Sequence, residues 1–202
     1  MRGKGMFLKR NKSVLLFLII TLFSVQSEAL NNEKNLERIF NYLNSLNNFS
    51  ASFIQDENDL VSEGKIYIGN DRVRLDYEYP SKILIILDKD KGMYYNYDLN
   101  EDEFFNPKDT SAWFFFEIFK NKKFFLDANS TLENKSIILS KSGYSFDEPY
   151  KIFLFFEDEP LLIRKIKLLF QNTEYTLSIY NHRLEEKFND RFFKLINPEL
   201  LN

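Results

Sequence analysis

Three constellations in this chain have residue types that could do chemistry. His182 is the one histidine in 202 residues. It could act as a general base if a partner oriented it, but the sequence names no partner, and a solvent-facing strand-end histidine is the reading the sequence favours. Ser145 sits in Gly143-Tyr-Ser145-Phe-Asp147, which superficially suggests a nucleophile turn. The second glycine of such a turn and its following helix are absent, so the stretch reads as a hairpin bend. Asp98-x-Asn100-x-Asp102 has the spacing of the first three ligands of a calcium loop, yet position six is Glu103 where glycine is needed, and the flanks read as strands. There is no phosphate loop or dinucleotide fingerprint, and the absence of cysteine excludes thiol catalysis and thiolate metal ligands. The expectation is a binding or carrier protein with no catalytic residue, metal or cofactor. An exported hydrolase using Ser145 or His182 is the competing reading.

The elements that could position a site begin after residue 29. Arg2, Lys4, Lys9, Arg10 and Lys12 form a basic start, Val14 to Phe23 is apolar except for Thr21, and Ser27-Glu28-Ala29 follows. That order predicts a secretory signal peptide over 1–29, cleaved after Ala29, and a single exported domain over 30–202. The apolar run is too short to span a bilayer. Without residues 1–29 the chain has 22 basic and 29 acidic residues, net −7. Such a balance argues against nucleic acid, whose phosphates require a basic face, and against charge-driven binding to an anionic membrane. The 22 Phe and 11 Tyr suit a protein that handles apolar ligands, but Asn and Lys are also abundant, so compositional bias explains part of the excess.

Along the domain, Leu36, Ile39, Phe40, Leu43 and Leu46 fall at helical spacing, predicting an amphipathic helix over 35–46. Strands follow in quick succession. In RVRLDYEYP (72–80) Val73, Leu75, Tyr77 and Tyr79 alternate with charged residues, the period of a strand wet on one face and dry on the other. Ile83 to Leu87 is continuous aliphatic, which suits a strand buried on both faces. Ala112 to Lys120, with Trp113, Phe114, Phe115, Phe116, Ile118 and Phe119, reads as a helix apolar nearly all round. Further strands are predicted near 136–139, 150–156, 162–170, 174–182 and 191–195. The total is about ten or eleven strands in an α+β fold: one large, curled antiparallel sheet with helices on one side.

This ordered series resembles the LolA family of periplasmic outer-membrane lipoprotein carriers. The resemblance rests on LERIFNYLNSLNNFSASFIQ (36–55), EGKIYI (63–68), RVRLDYEYP (72–80), ILIILDKDKGMYYNYD (83–98), TSAWFFFEIF (110–119) and RFFKLINP (191–198). It implies an unclosed β-barrel under a helical lid, with an apolar cavity that holds lipoprotein acyl chains. It also implies a periplasmic monomer whose partners are an inner-membrane ABC transporter and an outer-membrane receptor. On this reading Val73, Leu75, Tyr77 and Tyr79 face the concave side, and Phe53, Tyr95, Tyr97, Trp113, Phe114 and Phe116 join the cavity lining or lid, although each could equally be ordinary core. The missing cysteine fits the soluble shuttle, not a lipidated receptor. Family members often carry an Arg-Pro pair before the third strand, and here the turn is Gly69-Asn70-Asp71, with no arginine to latch the lid. Another periplasmic lipid-binding or adaptor module on the same fold is the alternative.

Overall fold

A computed structural model describes residues 32–121 and 123–201; the predicted signal segment lies outside them. Helix α1 spans 32–45. Six strands follow: β1 (Phe49–Glu57), β2 (Leu60–Gly69), β3 (Arg72–Tyr79), β4 (Ile83–Leu87), β5 (Gly92–Asn96) and β6 (Glu101–Phe105). Helix α2 (Ala112–Lys120) separates them from β7 (Asn129–Glu133), β8 (Ser136–Ser145), β9 (Glu148–Glu157), β10 (Leu162–Phe170) and β11 (Thr173–Arg183).

Asparagine and aspartate at the turns explain why neighbours in sequence pair. The hairpins β1–β2, β2–β3, β7–β8, β8–β9 and β10–β11 each turn on two residues with positive φ, among them Asn58-Asp59, Asn70-Asp71 and Asn134-Lys135. That is the backbone of the tight hairpin turn whose twist matches the flanking strands, and Asn and Asp tolerate it well. Two meanders result, and β1 pairs with β11 to join them in one eleven-stranded antiparallel sheet of order β6-β5-β4-β3-β2-β1-β11-β10-β9-β8-β7. The sheet is not closed: β6 and β7 remain its two edges. It is curled, because Ile85 of β4 and Ile166 of β10 border the same hollow, although five strand spacings of about 4.8 Å would hold them roughly 24 Å apart in a flat sheet.

The inner face carries the main core: Phe49, Phe53, Ile66, Ile68, Leu154 and Ile179 are among its fully buried residues. Both helices pack on it. Helix α1 contributes the buried Ile39; Tyr42 meets Phe156 edge-on, and its hydroxyl oxygen accepts from the Ile163 N–H. Arg38 anchors the same helix by donating to Asp158 Oδ1 at 2.7 Å and to its carbonyl at 2.9 Å. Helix α2 sends Phe114 between Tyr150 and Phe170, with ring centroids 5.0 and 5.2 Å away. The expected architecture, a large unclosed antiparallel sheet lidded by helices, is the observed one.

One expected strand is absent. Residues 191–193 form a turn, and 184–197 lie as an irregular strap on the outer face. Arg74 donates to the Phe192 carbonyl at 2.6 Å, and its guanidinium sits 4.0 Å over the Phe192 ring. Arg72 donates to the Phe193 carbonyl at 2.8 Å. Phe193 is fully buried against Gly69, where even an added Cβ would approach its ring to 2.9 Å. Two adjacent phenylalanines broke the two-residue period, and their rings pack against the sheet instead of pairing with it.

Candidate functional site

Alternation along β3 sets the site. Its odd-numbered residues face inward and its even-numbered residues face the strap, so Val73 and Leu75 are buried in the core while Arg72 and Arg74 hold residues 192 and 193. Continuing that inner row across the sheet brings Ile85 beside Leu75 on one side and Ile66 on the other. In the next inner row Gly64 lies between Phe53 and Tyr77 and leaves a gap there. A Cβ there would fall 2.2 Å from the Asp76 carbonyl and 2.9 Å from Phe53, so glycine is required for the two strands and the ring to close together.

Beyond Phe53 the curled sheet and α2 fail to meet. They leave a hollow of about 210 Å³. Its deep end is lined by the buried Leu75, Phe114, Ile118, Ile166 and Leu177. Its shallow end has the partly exposed Glu57, Ser111 and Tyr175. One polar chain runs along the wall. The Tyr77 hydroxyl donates to Gln55 Oε1 at 2.8 Å, and Gln55 Nε2 reaches Glu57 Oε2 at 3.5 Å. Burial, with the Glu57 charge adding to it, holds the Tyr77 phenol well above its usual range, so it remains a donor at any ordinary pH. An apolar hollow with a short polar rim can take an apolar chain and orient what the chain is attached to.

The ten residues expected at a cavity or lid divide into groups. Leu75, Tyr77 and Phe114 line the hollow. Phe53 and Val73 sit on the same face beneath it, with Phe53 packed edge-on to Tyr77 at 5.1 Å. Trp113 and Phe116 stack on each other along α2, 5.7 Å apart. Tyr79 ends β3 and is 59% exposed.

Tyr95 and Tyr97 lie on the other side of the sheet. Tyr95 pairs with Leu84, and Leu84 with Asp76, so its side chain is on the outer face. There it is buried with Leu84, Ile86 and Met93 under Leu195 of the strap. Tyr97 packs against Tyr95 at 4.7 Å and is 42% exposed. The expectation that they face the cavity is corrected by this register. The β5 sequence GMYYN is apolar enough on both faces to leave its orientation unreadable.

Gln55, Glu57 and Ala112 were not anticipated. Gln55 and Glu57 continue the alternation Phe49, Ala51, Phe53 along β1, a signal obscured because Glu57 resembles the start of a polar turn. The candidate chemical residues are used elsewhere. His182 Nε2 donates to the Ile163 carbonyl at 2.6 Å, and burial holds its imidazole below the ordinary value. Ile163 aligns through β9 with Ile137 at the start of β8, whereas Ser145 ends that strand. About eight residues at roughly 3.3 Å each separate these positions, so Ser145 and His182 cannot form a nucleophile–base couple. Asn100 Oδ1 accepts from the Tyr95 hydroxyl and Asp102 Oδ1 from Asn197 Nδ2.

No family model matches the chain. An uncharacterized protein of Rickettsia prowazekii (strain Madrid E) is 24% identical over 194 residues, covering 93% of this chain and 90% of that one. Among solved structures, an uncharacterized conserved protein from Thermus thermophilus superposes with a TM-score of 0.51 at 9% identity, covering 83% of this chain and 95% of its own. A DUF1329 family protein from Desulfovibrio piger gives 0.48 at 9% identity, covering 80% and 96%. The Thermus structure shows that the sheet-and-lid fold recurs at negligible sequence identity.

Proposed function

We propose that this protein is a periplasmic carrier that shields the acyl chains of lipoproteins between the inner and outer membranes, and that it acts without catalysis. The observation that carries this reading is the apolar hollow between a curled sheet and an aromatic helix. An acyl chain of ~15 methylenes costs roughly 12 kcal/mol to expose to water, at ~0.8 kcal/mol per CH₂. A carrier must replace that water with dry surface yet still release the load. Many non-directional contacts from aliphatic and aromatic side chains do this better than a few strong polar ones.

At about 210 Å³ the hollow is smaller than the roughly 300–1,000 Å³ of common ligand pockets. Uptake of a long chain therefore requires α2 to lift from the sheet, exchanging the contacts of Phe114 and Ile118 with the protein for contacts with the cargo. On this reading an inner-membrane ABC transporter supplies the cargo, an outer-membrane receptor takes it, and the carrier travels as a monomer. Among the described residues, no helix is long and apolar enough to cross a membrane.

The test is to purify the protein from its native envelope fraction, extract it and identify bound molecules by mass spectrometry. Acylated peptides are expected. Free phospholipid as the sole apolar ligand would assign a different lipid-binding module. An empty protein that also takes up no acyl probe would end the carrier reading.

A further inference from the structure

We infer that the hollow selects acyl chains whose polar junction is uncharged or cationic, and rejects lipid anions such as fatty-acid carboxylates. This rests on the carrier reading and adds a specificity to it.

The inference comes from the charge and hydrogen-bonding direction of the rim. Among the described residues that line the hollow, none is lysine or arginine, and the one ionisable group of full charge is Glu57. The polar chain uses up its donors along the wall, running toward the mouth: Tyr77 spends its hydroxyl proton on Gln55, and Gln55 turns its amide toward Glu57. What remains for an incoming molecule at the shallow end is the Glu57 carboxylate beside the neutral hydroxyls of Ser111 and Tyr175, with no cation among the lining residues. A ligand seated with its tail against Leu75 and Phe114 brings its junction to that carboxylate. An ester-linked glycerol hydroxyl or an amide N–H can donate to it. A carboxylate or phosphate cannot, and it meets a like charge at a mouth flanked by low-dielectric walls, where repulsion is screened less than in open water. An anion-binding lipid pocket would need the opposite arrangement, a cation or a cluster of free N–H groups at the rim.

The experiment compares binding of two probes with the same tail, 1-monolauroylglycerol and laurate, by calorimetry at pH 8 and low salt, each below its micellar concentration. The native protein is expected to bind the neutral ester at least about tenfold more tightly, a difference of about 1.4 kcal/mol. Glu57→Gln is expected to narrow that ratio to within about threefold, and added salt to narrow it in the native protein. Equal affinity of the native protein for both probes, or a ratio that Glu57→Gln leaves intact, would overturn the charge selection while leaving the carrier reading standing. Failure of the native protein to bind either probe would overturn the carrier reading itself.

Discussion

The two faces of β3, β4 and β5 are covered in different ways. On the outer face, the strap seats Phe193 and Leu195 against Gly69, Leu84, Ile86, Met93 and Tyr95, and two arginines fix it through backbone carbonyls. Phe188, Phe192 and Phe193 pack on one another with centroids 5.1–5.2 Å apart. The inner face is also apolar, but α2 touches it only in part and leaves a hollow. Similar strand patterns thus give one sealed face and one unfilled face. The difference lies in what covers them: a strap shaped residue by residue against the sheet, or a stiff nine-residue helix that bridges a concave surface.

The strongest way to break this comparison is at the seal. Phe193→Ala is expected to cost about 3–5 kcal/mol in urea denaturation, as for other buried aromatics, while acyl-probe affinity of the folded fraction stays within about twofold. Loss of binding with little loss of stability would mean that the outer face, not the inner one, takes the load. A smaller effect of opposite character is expected at the hollow. Ala112→Leu adds volume where α2 borders empty space. It should weaken acyl binding about tenfold, equivalent to about 1.4 kcal/mol, with a stability change under about 1 kcal/mol.

The smallest effect concerns Glu117, buried on α2 and held by Asn121 Nδ2 at 2.7 Å. Burial raises its pKa, outweighing the lowering by that hydrogen bond. A carboxyl whose folded pKa is raised contributes most below its unfolded value near 4.5. That contribution is lost as pH rises through the folded value. Glu117→Gln should therefore stabilise the protein at pH 7, by about 0.5–1 kcal/mol, and the advantage should shrink as the solution is acidified toward pH 4. Thermal melts of both forms across that range check the sign.

Much of the fold was legible before any coordinates. The period of Val73, Leu75 and Tyr77 marked a one-sided strand, Asn70-Asp71 and Gln171-Asn172 marked tight turns, and 112–119, apolar except for Glu117, marked a helix with almost no wet face. The less legible parts share a physical cause. Asn129–Glu133 is polar because it is an edge strand, so it carried no hydrophobic signal. Tyr95 required knowledge of its partner Leu84 before its face could be assigned. The strap packs over a hundred residues away from the strands it covers, and local periodicity holds no information about a contact at that range. The site was legible to the same extent: its buried floor at Leu75 and Phe114 followed from pattern, and its rim at Gln55 and Glu57 needed the hydrogen bonds.

The two free margins of the sheet have a mechanical consequence. A closed barrel has a girth set by its number of strands and their stagger, and it cannot widen without tearing ladder hydrogen bonds. Here β6 offers Glu101, Asp102 and Glu103 at one margin and β7 offers Asn129 and Glu133 at the other, charges and polar groups that discourage the margins from joining to each other or to another chain. The bore can then expand or contract through twist alone, like a cuff left unbuttoned, with every strand pairing intact.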